Sequence, residues 1–371
     1  MRKLVVAWAV AIAISFAAFG ASFEADSKRG GALFREQGCT NCHPVNGEGA
    51  HLAPDLGQRL DRNYTPAGIA SLMWNHAPVM WASMQKQGMK MPQLSESQAA
   101  DLFAYFYSAH FFERPGEAER GKALFSSKGC AGCHSLTPGA ASVGPPVSTW
   151  EALSGPIVLI QRMWAHAPQM QKAMEARQIK WPQLTSQDMT DLLVYLQNLP
   201  QTRHVEQSLE VPAPEAGEAL FHSKGCANCH QNAKAFENLI GDSTLTDIAA
   251  AMWNHAPLMM NDPSKAPGPI SVPEMRQILS YVWARQFFST KGDAARGKKV
   301  FDSQKCASCH NATGGAPQID RSTGPFSAVR MVSVLWEHGP AMEQRMQQKK
   351  ISWPHLSPSD MANVIAYLNN R

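Results

Sequence analysis

The sequence predicts an all-α chain of four tandem helical domains, arranged as a duplicated two-domain module. Three observations carry that expectation. One Cys-x-x-Cys-His pentapeptide occurs four times. Each copy is flanked by helix-forming segments with the same order of signals. Two of the three junctions between copies are alike, and the middle one is not.

The copies are Cys39-Thr40-Asn41-Cys42-His43, Cys130-Ala131-Gly132-Cys133-His134, Cys226-Ala227-Asn228-Cys229-His230 and Cys306-Ala307-Ser308-Cys309-His310. Together they use all eight cysteines, with no thiol left over. C-x-x-C-H is the pattern for covalent haem attachment. Two thiols add across the porphyrin vinyl groups, and the adjacent His sits beneath the iron. Paired zinc ribbons, redox dithiols and structural disulfides also use C-x-x-C. None of them requires a His after every second Cys.

Each repeat spans roughly 80 to 95 residues, a period that marks a tandem array. A Gly and a Phe precede the first Cys at fixed offsets: Gly30 and Phe34, Gly121 and Phe125, Gly217 and Phe221, Gly297 and Phe301. The residues between them form an amphipathic helix. Gly inside a helix costs about 1 kcal/mol relative to Ala, which a close helix crossing would explain. Each repeat closes with an apolar helix around Tyr105, Tyr195, Tyr281 or Tyr367. The expected partner at the crossing is this last helix. The junctions His110–Gly121 and Gln286–Gly297 are alike, whereas 199–215 carries Pro200, Pro212 and Pro214 and reads as a stiffer linker. The expected domains are 26–112, 116–199, 213–288 and 293–371, called units 1 to 4 below.

Residues 1–22 are a signal peptide or an N-terminal anchor. Arg2 and Lys3 precede an apolar run from Leu4 to Phe19, then Gly20-Ala21-Ser22. A cut after Gly20 would export the chain. An uncleaved run at 4–19 would anchor it, since a spanning helix needs about 18 apolar residues. Both place the bulk in the periplasm or another extracytoplasmic space. The formal charge is only +4, with no basic stripe, so no nucleic-acid partner is expected.

The four units resemble class I cytochrome c domains: first helix, C-x-x-C-H, loop, middle helix, ligand loop, and a last helix packed on the first. The resemblance covers nearly all of 26–371. It implies four covalently bound haem c groups, held by the eight cysteines named above. The proximal iron ligands would be His43, His134, His230 and His310. A Pro carbonyl commonly fixes such a proximal ring, and Pro54, Pro145 and Pro325 suit that role; the shortened loop of unit 3 has none. After the middle helix every unit carries W-x-H-x-P-x-M: Trp74, His76, Pro78, Met80; Trp164, His166, Pro168, Met170; Trp253, His255, Pro257, Met259; Trp336, His338, Pro340, Met342. Met80, Met170, Met259 and Met342 are the expected distal ligands, with His76, His166, His255 and His338 as alternatives. A third candidate, the Met-Pro before the last helix, exists only as Met91-Pro92; Trp181-Pro182, Trp353-Pro354 and Gly268-Pro269 stand at that place elsewhere. The recurring Trp residues are expected to wall the haem pockets. His51, His110, His204, His222 and His355 do not recur and read as surface or core residues.

The expected function is an exported tetrahaem cytochrome that relays single electrons between a membrane oxidoreductase and a soluble or extracellular acceptor. It would be an electron carrier with redox protein partners and without catalytic residues. Membrane association through the N-terminal segment stays open. The alternatives are a multihaem peroxidase-like enzyme, with unit 3 as its specialised site, or an electron-transfer subunit of a larger respiratory complex.

Overall fold

The computed structural model describes residues 24–57, 65–110, 116–138, 143–150, 153–200, 211, 213–230, 244–261, 267–289, 291–311, 313–317, 319 and 324–371. The expected leader or anchor at 1–22 lies outside them. Among the described residues no helix is long and apolar enough to cross a membrane.

The described chain is helical, and its sole strand-like pairing is one isolated bridge, Val45 to Glu48. Unit 1 contributes α1 (Ser27–Glu36), α2 (Pro66–Lys86) and α3 (Glu96–His110). Unit 2 contributes α4 (Ala118–Ser127), α5 (Pro156–Glu175) and α6 (Ser186–Gln197). Unit 3 has α7 (Gly217–Ser223), α8 (Leu245–Met260) and α9 (Val272–Phe287). Unit 4 has α10 (Ala294–Ser303), α11 (Ala328–Gln348) and α12 (Pro358–Asn370).

Local sequence explains where these helices begin. Thr185/Asp188, Thr244/Asp247, Ser271/Glu274 and Ser357/Asp360 are capping boxes. In each, a hydroxyl and a carboxylate satisfy amides that the first helical turn leaves unpaired. Asp26 caps α1 and Thr65 caps α2, where Pro66 opens the helix at a position that needs no N–H.

First and last helices cross at the predicted glycines in all four units. A Cβ on Gly30, Gly121 or Gly297 would overlap the carbonyl of Asp101, Asp191 or Asn363; on Gly217 it would overlap Gln277 and Tyr281. Beside the crossing, the Phe of the first helix meets the Tyr of the last. The ring centres are 5.6 Å apart for Phe34–Tyr105, 5.9 Å for Phe125–Tyr195, 5.6 Å for Phe221–Tyr281 and 5.4 Å for Phe301–Tyr367. In units 1 and 2 an ion pair reinforces the crossing, Arg29 with Asp101 and Arg120 with Asp191. Unit 4 has Asn363 at that place, which accepts from the Asp293 amide instead.

The units do not pack in chain order. α2 of unit 1 lies against α11 and α12 of unit 4, and α5 of unit 2 lies against α8 and α9 of unit 3. Units 1 and 3 meet through their last helices, where Tyr107 and Trp283 rings are 4.8 Å apart. Those residues occupy the same place in the repeat, two after Tyr105 and two after Tyr281. A contact between equivalent positions is what a pseudo-twofold relating two copies of a two-domain module produces. The middle linker is fastened at its end: Val211 exchanges hydrogen bonds with Ser27, and the Ala213 amide donates to Asp26.

Candidate cofactor sites

All four pentapeptides fold alike. Cys39–Asn41, Cys130–Gly132, Cys226–Asn228 and Cys306–Ser308 are single 3-10 turns. The His amide of each copy donates back to the carbonyl of the first Cys, at 2.9 to 3.0 Å. Each turn is entered through a left-handed residue, Gly38, Gly129 and Gly225 with φ of 73°, 85° and 85°. In unit 4 Lys305 adopts that conformation with φ 63°, a strained choice for a residue with a Cβ.

In unit 1 the two sulfurs and the imidazole, from Cys39, Cys42 and His43, line one cavity. No cysteine is in a disulfide. Burial pushes the Cys39 and Cys306 thiols up to about 11, and also raises those of Cys130 and Cys226. These are neutral thiols at physiological pH, unlike the depressed thiolates of dithiol enzymes or zinc sites. Among the described residues no group of three His, Cys, Asp or Glu side chains converges to hold a metal ion.

The proximal rings are oriented by main-chain carbonyls. His43 Nδ1 lies 3.0 Å from the Pro54 carbonyl, and His134 Nδ1 lies 3.0 Å from that of Pro145. A carbonyl can only accept, so Nδ1 carries the proton and Nε2 keeps its lone pair for a metal. His310 uses Pro317 at 3.2 Å, which corrects the expectation of Pro325. The loop of unit 4 turns back sooner at Gly314, which packs against the Cys309 carbonyl. Burial lowers the His310 pKa and keeps the ring neutral, as a ligand must be. In unit 3 the loop 231–243 lies outside the described residues.

Unit 1 contains a cavity of about 390 Å³. Cys39, Cys42, His43 and Pro54 form one wall, and Met73, His76 and Met80 on α2 form another. Ile69, Leu72, Leu102 and Phe106 make the remainder apolar. The donor set, the neutral thiols and the apolar lining fit a covalently attached haem. Met73, Met84, Met89 and Trp336 also line the cavity, and the sequence reading missed them in that role. Met73 had a signal, because Met or Leu precedes the Trp of every unit: Met73, Met163, Met252 and Leu335.

The W-x-H-x-P-x-M pattern lies inside the middle helices rather than after them, and Pro78, Pro168, Pro257 and Pro340 are interior prolines. His and Met are four residues apart and share a helix face, so His76 and Met80 look into the same cavity. The Met is half-buried in every unit, and the His is exposed in units 1 to 3 and half-buried in unit 4. In unit 4 the His310 and His338 rings lie with centres 6.1 Å apart and planes tilted by 51°.

The Trp positions behave differently from expectation. Trp74 packs at a tilt on Trp353 of unit 4, ring centres 5.2 Å apart, and Trp253 stacks on Trp181 of unit 2 at 4.2 Å. They join units, and Trp74 is not among the residues that line unit 1's cavity. The Trp-Pro that replaces Met-Pro in units 2 and 4 is the other half of that joint. Of the non-recurring histidines, His110 is buried and its Nδ1 lies 2.7 Å from the Phe106 carbonyl. His51, His222 and His355 are exposed, and His204 lies outside the described residues.

Four helical units built on one haem-attachment turn define a c-type haem protein. The cytochrome c family profile matches residues 27–109, 118–200 and 294–371, well over half of the sequence, and the chain belongs to that family. It is therefore an electron-transfer haem protein with tandem domains. Unit 3 falls outside the matched segments, although its attachment turn and crossing repeat those of the others. No curated protein and no solved structure matches the chain.

Proposed function

We propose that the chain is an exported tetrahaem electron relay, passing single electrons between a membrane oxidoreductase and a soluble or extracellular acceptor. The observation that carries the number four is unit 3. Its Cys226–Asn228 turn, its entry through Gly225 and its Gly217 crossing reproduce the other three units. Covalently bound haem supplies reversible one-electron chemistry, with a potential set by ligands and burial. The protein's own part is to fix each ring and exclude water. Pro54, Pro145 and Pro317 orient His43, His134 and His310, and His230 is assigned the same ligand role in unit 3.

For the sixth position the reading assigns Met80, Met170 and Met259, with His76, His166 and His255 as alternatives one turn away. In unit 4 the alternative is better supported. An imidazole nitrogen holding a metal would sit about 2 Å from it, so two rings that shared one ion would have centres about 6 Å apart. The 6.1 Å separation of His310 and His338 fits that span and favours His338 over Met342.

Coulometric reduction of the matured protein tests the relay. The expected result is four electrons per chain, with no turnover when the half-reduced protein meets peroxide. Rapid peroxide consumption would favour the enzymatic alternative. Near-infrared magnetic circular dichroism of the oxidised protein counts His–Met and His–His centres, with three and one expected.

A further inference from the structure

Unit 1 does not close its own cavity. Trp336, on α11 of unit 4, lines the cavity together with unit 1's own residues. It is buried, with 6 % exposed. The approach that brings it there is built from several residues. Trp81 on α2 sits edge-on to Trp336 at 6.5 Å and to Trp353 at 5.4 Å. Gly339 makes room, since a Cβ there would overlap the Trp81 ring. The other three units carry Ala77, Ala167 and Ala256 at that place. Two hydroxyls then latch the pair reciprocally. Ser333 on α11 donates to the Leu94 carbonyl of unit 1 at 2.6 Å, and Ser71 on α2 donates to the Leu356 carbonyl of unit 4 at 2.7 Å.

The second pair repeats one half of the latch, since Ala250 stands where Ser71 does and has no hydroxyl. Gln161 stands on α5 where Ser333 stands on α11, and it donates to the Ile270 carbonyl, the counterpart of Leu94. Trp164, the counterpart of Trp336, is buried to the same 6 % on α5, which packs on α8.

We infer that the haem sites work as two pairs completed in trans, unit 1 with unit 4 and unit 3 with unit 2, and that Trp336 of unit 4 is a wall of unit 1's haem site. The inference rests on the haem reading above. Its consequence is that a unit's potential is set partly by a domain distant in sequence. An apolar wall excludes water and disfavours the more highly charged oxidised state, so removing it lowers the potential. The spatial neighbours are then 4, 1, 3 and 2 in order, with units 4 and 2 at the ends and the Tyr107–Trp283 contact in the middle.

The test uses the fully matured chain in its reduced, diamagnetic state. Nuclear Overhauser contacts of the Trp336 indole protons are measured, with the resonance assigned by its loss in Trp336→Phe. The expected contacts reach the haem whose thioether protons belong to Cys39 and Cys42. Contacts only to the haem on Cys306 and Cys309, or to no haem, would overturn the proposal. A chain without thioether signals would instead defeat the haem reading itself. As a second measurement, Trp336→Ala should lower the midpoint potential of the Cys39/Cys42-linked haem and leave the haem on Cys306/Cys309 in place. A shift confined to the latter would contradict the assignment.

Discussion

Trp353 donates its indole N–H to the main-chain carbonyl of Trp74 at 2.9 Å. That carbonyl would ordinarily accept from the residue four positions later, which is Pro78 and has no N–H to give. Trp74 answers by donating its own indole to the Pro354 carbonyl at 2.9 Å. The second pair repeats the exchange: Trp181 donates to the Trp253 carbonyl, left open by Pro257, at 3.0 Å, and Trp253 donates to the Pro182 carbonyl at 2.7 Å. Asn75 and Asn254 complete the joint, each exchanging two hydrogen bonds with the backbone of Leu356 or Leu184. An interior proline costs a helix about 3 kcal/mol in isolation, and here the freed acceptor becomes the joint between domains.

Trp353→Phe should therefore loosen unit 4 from unit 1. Losing the indole donor leaves the Trp74 carbonyl without that partner, at a cost of about 1–3 kcal/mol. Denaturant unfolding followed by tryptophan emission should show a lower midpoint. An unchanged midpoint would mean the joint does not hold the pair together.

The proline sets up a second, sharper expectation. Pro78→Ala returns an N–H to the Trp74 carbonyl inside α2. The cost of Trp353→Phe should then be smaller in the Pro78→Ala background than in the wild type. A double-mutant cycle measures the difference, and additivity within about 0.5 kcal/mol would refute the link.

Gly121→Ala distinguishes a crossing from an ordinary helix position. In an open helix the change would stabilise by about 1 kcal/mol. Here the new Cβ would overlap the Asp191 carbonyl, and such overpacking costs about 1–3 kcal/mol. A lower thermal midpoint is expected. A higher one would show that α4 and α6 do not meet at this point.

Glu274 gives the acid limb of stability a specific origin. Lys224 lies 2.8 Å from its carboxylate, and that hydrogen bond, with one from the Ser271 amide, holds its pKa down at about 2. The folded value is below the ordinary Glu value of about 4.3. The contribution is thus complete above that ordinary value and is lost as pH falls through the folded one. Lys224→Gln should lower the unfolding midpoint at about pH 6 and shrink its further fall between about pH 4 and pH 2. An unaltered profile would exclude the pair as a cause.

The attachment turns, the Gly–Phe–Tyr crossings and the tandem all-α plan were legible in the sequence. Their determinants are local, as in Cys39 to His43, or recur at one register, as in Gly30 and Tyr105. The pairing of units 1 with 4 and 2 with 3 was not. A repeat reveals which positions recur but not which unit they face. The signal existed in the departures from the repeat, with Asn75 and Asn254 in one set of units and Trp181 and Trp353 in the other. The placing of the W-x-H-x-P-x-M pattern after the middle helix failed for a related reason. Pro78 reads as a helix end unless a donor from elsewhere, Trp353, takes the carbonyl it frees. Pro317 was passed over for Pro325 because loop closure at Gly314 is a contact with Cys309, not a spacing.

The most direct measurement of the central claim is the intact mass of the chain matured with a working haem-attachment system, followed by mapping of its cysteine peptides. The account predicts four haem equivalents, one each on the Cys39/Cys42, Cys130/Cys133, Cys226/Cys229 and Cys306/Cys309 peptides. A chain carrying three, with Cys226 and Cys229 as free thiols, would contradict the assignment of unit 3, and a colourless chain would contradict all of it.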